Sequence, residues 1–168
     1  MPPPRTRGAF RKATAAYAAL LSWLLIASVA ILVIPVSLQI FSRFTALIPH
    51  YIWTEEMARF LFVWMIMIGA NLGVREGTHF VVDVWPRLPA RPAAALRLLS
   101  ALFVLVFAAV FLWWGIEFTE FALNRISELA ELPLWMIHVA WPLTGLSWIL
   151  FLGEQMYDDL RLLAGAAP

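Results

Sequence analysis

The sequence contains no cysteine and few charged residues. The absence of cysteine excludes disulfides, thiolate metal sites and a cysteine nucleophile, and it leaves the redox compartment open. Charged residues make up 14% of the chain and hydrophobic residues 62%. An ordinary soluble domain is about a quarter charged and roughly half apolar, so the composition points to lipid as the solvent. The net charge of +1 argues against a nucleic-acid partner.

Motifs for enzyme chemistry are also missing. The sequence has no glycine-rich phosphate loop that ends in Lys-Ser or Lys-Thr, and it has no nucleophile elbow. Haem held between two helices needs histidines on facing spans, but of the three histidines only His138 lies within an apolar stretch. We therefore expect no enzymatic activity, no cofactor and no metal site in this chain.

Long apolar stretches dominate the sequence. No charged residue occurs between Ala13 and Ser42, and about 20 apolar residues are enough to cross a bilayer. Three further apolar stretches follow, the last of which contains Pro142 and Gly145, where we expect a bend. The sequence predicts an all-α integral membrane protein with four transmembrane helices and short amphipathic segments at the interface. The predicted spans are at about 15–42, 54–75, 96–118 and 133–153.

The basic residues predict how the chain is oriented. Four lie in a leader at 1–12, four in the loop after the second span, and one in a tail at 161–168. The leader and the tail flank a single membrane domain at 13–160. The opposite connectors contain only Arg43 and Arg125, so the positive-inside rule places both termini in the cytoplasm. The acidic connector from Glu117 to Glu131 then faces outward, either as a solvated helix end or as a docking patch for a soluble partner.

A charged cluster begins the second span. Thr54 is positioned as an N-cap, and Glu55 and Glu56 suit the first turn of a helix. Arg59 lies four and three residues after these two acids, which allows an ion pair on one helix face. A charge deep in lipid is costly, so charged residues at a membrane boundary usually mark a pathway or a partner. The cluster therefore indicates either a self-contained helix cap or an ion pair at a subunit interface.

Small and polar residues occur within the same span. Gly69 and Gly73 have the spacing that lets two membrane helices approach closely, and the Asn71 amide needs a hydrogen-bond partner in lipid. The pattern is consistent with contact to another subunit or with packing inside this chain.

The stretch from Trp53 to Asp83 resembles a known family. Its segments WTEEMARFLFVW and IGANLGVREGTHFVVD are similar to the small membrane subunit of tripartite ATP-independent periplasmic (TRAP) transporters, and so is the later segment ELPLWMIHVAWPLTG. The resemblance implies a scaffold subunit in the bacterial inner membrane, surrounded by lipids. Its implied partners are a large membrane subunit, which carries substrate and sodium, and a periplasmic substrate-binding protein. Uptake of organic acids would be driven by sodium, with sodium coupling in the large subunit.

The resemblance and the residue pattern together give the candidate interface residues. They are Glu55, Glu56, Arg59, Trp64, Gly69, Asn71, Gly73, Arg75, His79 and Asp83. The alternative is a stand-alone four-helix membrane protein with a regulatory or redox role.

Overall fold

The computed structural model describes residues 8–45, 49, 51–77 and 89–164. These residues form five helices: α1 (Ala9–Phe44), α2 (Trp53–Glu76), α3 (Ala90–Ala122), α4 (Trp135–His138) and α5 (Ala140–Leu163). Four segments are long and apolar enough to cross a membrane, and α4 and α5 together form the last one. The described part of the chain contains no strand, only an isolated bridge between Ile126 and Pro133. The predicted all-α fold with four membrane-spanning segments is confirmed.

The long helices are arranged in a row. Helix α3 packs on α5, α5 packs on α2, and α2 packs on α1, while α1 meets α5 over a short stretch only, so α2 and α5 are central and α1 and α3 are outermost. In the most apolar window of each span, 33% of the residues of the fourth span are buried but only 11% of those of the third. Much apolar surface is therefore left for lipid or for another protein.

Helices α3 and α5 approach closely at two glycines. A Cβ atom on Gly145 would lie 2.7 Å from the carbonyl oxygen of Ala108 and from the nitrogen of Leu112. A Cβ on Gly115 would lie 2.8 Å from two atoms of Pro142. Since three of these four atoms belong to the backbone, they move only if the helix moves. Glycine is therefore required at both positions for this helix pair.

The fourth span is interrupted at Val139, where α4 ends and α5 begins. Pro142 has no N–H to donate to the His138 carbonyl, so the helical hydrogen bond that would span this point is lost. The His138 ring donates from Nδ1 to the carbonyl of Leu134 at 2.6 Å, one turn earlier. The break lies one turn before the proline, while Gly145 serves the contact with α3.

The ends of α2 differ in one respect from the sequence prediction. The helix begins at Trp53, so Thr54 already lies within it and is not the N-cap. The buried Thr54 hydroxyl donates to the carbonyl of Tyr51 at 2.7 Å. At the other end Gly77 adopts φ +67°, a left-handed conformation that favours glycine, and terminates the helix. The predicted amphipathic segment before α2 includes residues 46–48 and 50, which lie outside the described residues.

Candidate interface on the second membrane helix

Helix α2 has one buried face and one open face. The buried face carries Phe60, Met67, Ile68, Asn71 and Val74, which pack towards α1 and α5. The open face carries residues spaced alternately four and three apart, and we call this set the outer stripe. The outer stripe consists of Glu55, Arg59, Phe62, Ile66 and Gly69. This spacing keeps the five residues on one side of the helix along most of its length.

Gly69 has no side chain and therefore leaves a gap in the outer stripe, which we call the notch. Apart from the adjoining part of α2 itself, none of the described atoms lies within 4 Å of the position where its Cβ would be. Gly73 follows one turn later and is half-buried. The backbone of α2 is therefore accessible at Gly69 from outside the chain, unlike the backbones at Gly115 and Gly145.

The charged cluster at the start of α2 is divided between the two faces. Arg59 and Glu55 are both well exposed and their closest charged atoms are 3.9 Å apart, which is a loose surface ion pair. Glu56 points inward, is only 8% exposed, and accepts hydrogen bonds on Oε2 from the backbone N–H groups of Leu129 and Ala130, at 2.9 and 2.6 Å. Glu56 thus binds the connector between α3 and α4, a contact that its sequence position gave no means of predicting.

Two other candidate residues make contacts within the chain. Trp64 donates from Nε1 to the carbonyl of Met136 in α4 at 3.0 Å. Arg75 donates to the carbonyl of Thr14 in α1, and its guanidinium carbon lies 5.3 Å from the centre of the Phe151 ring in α5. These side chains fix the position of α2 against its neighbours and therefore the direction in which the outer stripe faces.

Asn71 lies on the buried face and is 4% exposed. Its Oδ1 accepts no hydrogen bond within the part of the chain that the structure describes. This position favours packing inside the chain over direct contact with another subunit. His79 and Asp83 lie outside the described residues, so their candidacy stays a prediction.

The sequence of this chain matches a known protein family. The family model of the tripartite ATP-independent periplasmic transporters, DctQ component, matches residues 32–162, which include the C-terminal part of α1, all of α2, α3 and α4, and all of α5 except its last residue. This chain belongs to the DctQ family. As a permease component the DctQ-family chain is not an enzyme, and with four spans it is a multi-pass protein of the bacterial inner membrane.

Three relatives of this DctQ-family chain carry substrate names. The C4-dicarboxylate TRAP transporter small permease protein DctQ of Rhodobacter capsulatus is 33% identical over 97 residues, which cover 56% of this chain and 43% of the relative. The sialic acid TRAP transporter small permease protein SiaQ of Vibrio cholerae is 25% identical over 120 residues, 69% of this chain and 68% of the relative. The isethionate TRAP transporter permease protein DctMQ of Oleidesulfovibrio alaskensis is 27% identical over 96 residues, 55% of this chain and 15% of the relative.

A second polar cluster joins the opposite ends of the helices in this DctQ-family chain. Thr14 donates to Glu154 Oε2 at 2.6 Å, Arg97 donates from Nε to Asp159 Oδ1 at 3.0 Å, and Arg11 pairs with Asp158. The cluster was not predicted. The sequence does contain a signal for it. The end of the fourth span is acidic, the beginnings of the first and third spans are basic, and all three ends lie on the same predicted side of the membrane.

An apolar groove lies on α3 and α5. It has a volume of about 480 Å³ and is lined mainly by aromatic side chains, among them Phe111, Phe118 and Trp141. The one charged residue in its lining is Glu117, which would repel an organic anion. Within the described ranges, no three histidine, aspartate or glutamate side chains are grouped so that they could hold a metal ion. The groove therefore offers no binding chemistry for an acidic substrate.

Proposed function

We propose that this chain is the scaffold subunit of a sodium-driven TRAP transporter that takes up an organic acid, and that the outer stripe of α2 binds the large membrane subunit. The observation that carries the proposal is that α2, although central in the row, keeps one open face with an accessible backbone at Gly69. A helix of another subunit could approach there as closely as α3 approaches α5 at Gly145.

The relatives support the proposed partner and substrate class. The name DctMQ joins a Q component with an M component in one permease protein, which supports a small subunit that works next to a large one. The three named substrates are a C4-dicarboxylate, sialic acid and isethionate, and all of them are organic acids. An acidic substrate needs a cationic site, and the groove on α3 and α5 is not one. We therefore propose that the large subunit binds the substrate, and that sodium binds there as well.

The inner contacts of α2 support a scaffold role. A scaffold must hold its binding surface in one geometry before the partner arrives, because ordering it on contact would reduce the affinity. Trp64, Arg75 and Glu56 connect α2 to α4, to α1 and to the connector after α3. The outer stripe is thus presented by a helix that is fixed at both ends.

Co-purification in mild detergent tests the proposal. Gly69→Leu should reduce the recovered large subunit about tenfold, equivalent to roughly 1.4 kcal/mol, because the added side chain fills the notch. The matched control is Gly153→Leu on α5, where the added Cβ also meets nothing within 4 Å among the described atoms. Undiminished recovery with Gly69→Leu, or equal loss with both variants, would contradict the proposed surface.

Reconstitution of the chain alone tests the scaffold role itself. Liposomes that contain only this subunit should show no sodium-dependent uptake of organic acids, whereas liposomes with both membrane subunits and the binding protein should. Uptake by the isolated chain would refute the assignment of transport to the large subunit.

A further inference from the structure

The groove on α3 and α5 has walls that are fixed before anything binds. The centre of the Phe111 ring lies 5.0 Å from that of Trp141 and 5.2 Å from that of Trp148. The Phe118 ring meets the His138 ring edge-on, with 4.1 Å between the centres. Because these contacts join α3 to the fourth span, the rings are held in place by the helix packing itself. The groove is therefore preformed, as binding sites for small molecules usually are.

The groove is as long as one leaflet of a bilayer is thick. Its lining runs along α3 from Val110 to Phe121, which at a rise of about 1.5 Å per residue corresponds to about 17 Å. The hydrocarbon core of a bilayer is about 30 Å thick, so one leaflet contributes about 15 Å. The volume of about 480 Å³ lies within the range of about 300–1,000 Å³ that is usual for ligand sites. An extended acyl chain therefore fits the groove from the membrane surface to the middle of the bilayer.

The groove faces lipid and is separate from the outer stripe. Helix α3 is outermost in the row, and no described residue of α1 or α2 is part of the lining. Trp114 and Phe121, which do line the groove, are both 59% exposed. The surface is therefore accessible to acyl chains without any change in the contacts of α2.

A negative and a positive charge lie at the end of the groove next to the connector between α3 and α4. Glu117 is exposed and is the one charged residue of the lining. Phe121 lines the groove one helical turn later, and the guanidinium carbon of Arg125 lies 3.7 Å from the centre of its ring. Charged residues at a membrane boundary usually mark a pathway or a partner. Opposite charges on either side of one ring complement a zwitterion, that is, a head group with both an ammonium and a phosphate.

We propose that the groove binds a phosphatidylethanolamine molecule of the surrounding bilayer, with one acyl chain between the aromatic walls, the ammonium on Glu117 and the phosphate on Arg125. The ammonium donates N–H bonds to the carboxylate, and such charged bonds are about twice as strong as neutral ones. The guanidinium presents a fork of N–H groups that matches phosphate oxygens. This inference goes beyond the proposed function and does not depend on which protein binds the outer stripe.

The same chemistry disfavours other phospholipids. Phosphatidylglycerol carries a phosphate but no cation, so Glu117 repels it. Phosphatidylcholine carries a cation without an N–H, so it cannot donate a hydrogen bond to the carboxylate. The site should therefore discriminate between head groups, which lipid that merely surrounds the protein does not do.

Native mass spectrometry of the delipidated chain in detergent tests the head-group contact. One phosphatidylethanolamine should bind about tenfold more tightly than phosphatidylglycerol or phosphatidylcholine. Glu117→Gln should remove most of this preference, because the carboxylate is its source. The matched control is Glu120→Gln, at an exposed carboxylate on the same helix that does not line the groove. Equal affinity for the three lipids, or equal effects of the two variants, would mean nonspecific lipid contact and would overturn the proposal.

Arg125→Gln tests the phosphate contact separately. Since all three lipids carry a phosphate, this variant should weaken their binding by a similar factor and leave the preference for phosphatidylethanolamine in place. Unchanged binding of all three would show that Arg125 does not hold the phosphate and would contradict the proposed pose.

Val110→Trp tests the acyl-chain contact. The added ring fills the end of the groove that lies deepest in the bilayer and should weaken phosphatidylethanolamine binding about tenfold. The matched control is Val106→Trp, at an exposed valine one turn earlier on α3 and outside the lining. Equal weakening by both variants, or by neither, would overturn the proposal.

The complete membrane complex decides whether a protein covers the groove instead. Phosphatidylethanolamine should co-purify with the complex and should be lost selectively when the chain carries Val110→Trp, while recovery of the large subunit stays unchanged. Loss of the large subunit with Val110→Trp would make the groove a contact between proteins and would overturn the proposal, as would unchanged retention of the lipid.

Discussion

Gly145 and Gly69 are both glycines on central helices, but they have opposite surroundings. At Gly145 the backbone of α3 lies 2.7 Å from where a Cβ would be, whereas at Gly69 none of the described atoms comes within 4 Å. Small residues at helical spacing therefore indicate close approach without identifying the partner. Gly145 serves the contact inside the chain, and Gly69 is left for a contact outside it.

The largest effect is expected when the inner contact is removed. Gly145→Leu should destabilise the chain by about 3 kcal/mol or more, since α3 must separate from α5 to make room. Denaturant unfolding and the yield of monodisperse protein measure this effect. Gly153→Leu is the control, and equal stability of the two variants would show that α3 and α5 do not need their close contact.

The second largest effect is expected when Glu56 no longer binds the connector between α3 and α4. Glu56→Ala leaves the N–H groups of Leu129 and Ala130 without their acceptor, at a cost of about 1–3 kcal/mol. The connector between α3 and α4 should open locally, so trypsin should cleave faster after Arg125 while the helices stay intact. Glu56→Gln retains an oxygen acceptor and should be intermediate. The control Glu55→Ala, at an exposed neighbouring carboxylate, should not change the cleavage rate; a change would mean that the contact between Glu56 and the connector is misassigned.

The third effect sharpens the comparison between the two glycines. Gly69→Leu should leave unfolding stability within about 0.5 kcal/mol of the unsubstituted chain, as is usual for surface positions, while it weakens co-purification of the large subunit. A large loss of stability would mean that the open face of α2 is needed for the fold of the chain itself.

The smallest effect concerns two of the ion pairs near the surface. Arg97 contacts Asp159 through two nitrogens, whereas Arg59 lies 3.9 Å from Glu55 at its closest charged atom. A double-mutant cycle should give a coupling of up to about 1 kcal/mol for the first pair and close to zero for the second. A larger coupling for Arg59 and Glu55 would indicate that the pair does stabilise the start of α2.

Residues close together in the chain were predictable, and contacts between distant residues were not. The spacing of Glu55 and Arg59 correctly indicated an ion pair, because residues four apart on a helix are neighbours. The same cluster suggested that Glu56 also pairs with Arg59, but its carboxylate binds the backbone more than 70 positions later. The predicted N-cap, Thr54, lies two residues after the observed N-cap, Ile52, since helix ends are set by hydrogen bonds that the sequence pattern does not resolve.

The sequence by itself determined that this is a membrane protein with four apolar spans, because each span must be long and apolar enough to satisfy lipid regardless of its neighbours. Only the tertiary structure decided the row of helices, the pairing of Gly145 with α3, and the binding of Glu56 to the connector between α3 and α4. In lipid an apolar side chain is as well solvated on the outside of the bundle as between helices, so hydrophobicity does not determine which helices pack together. That choice is made by shape and by a few polar contacts between residues far apart in the chain.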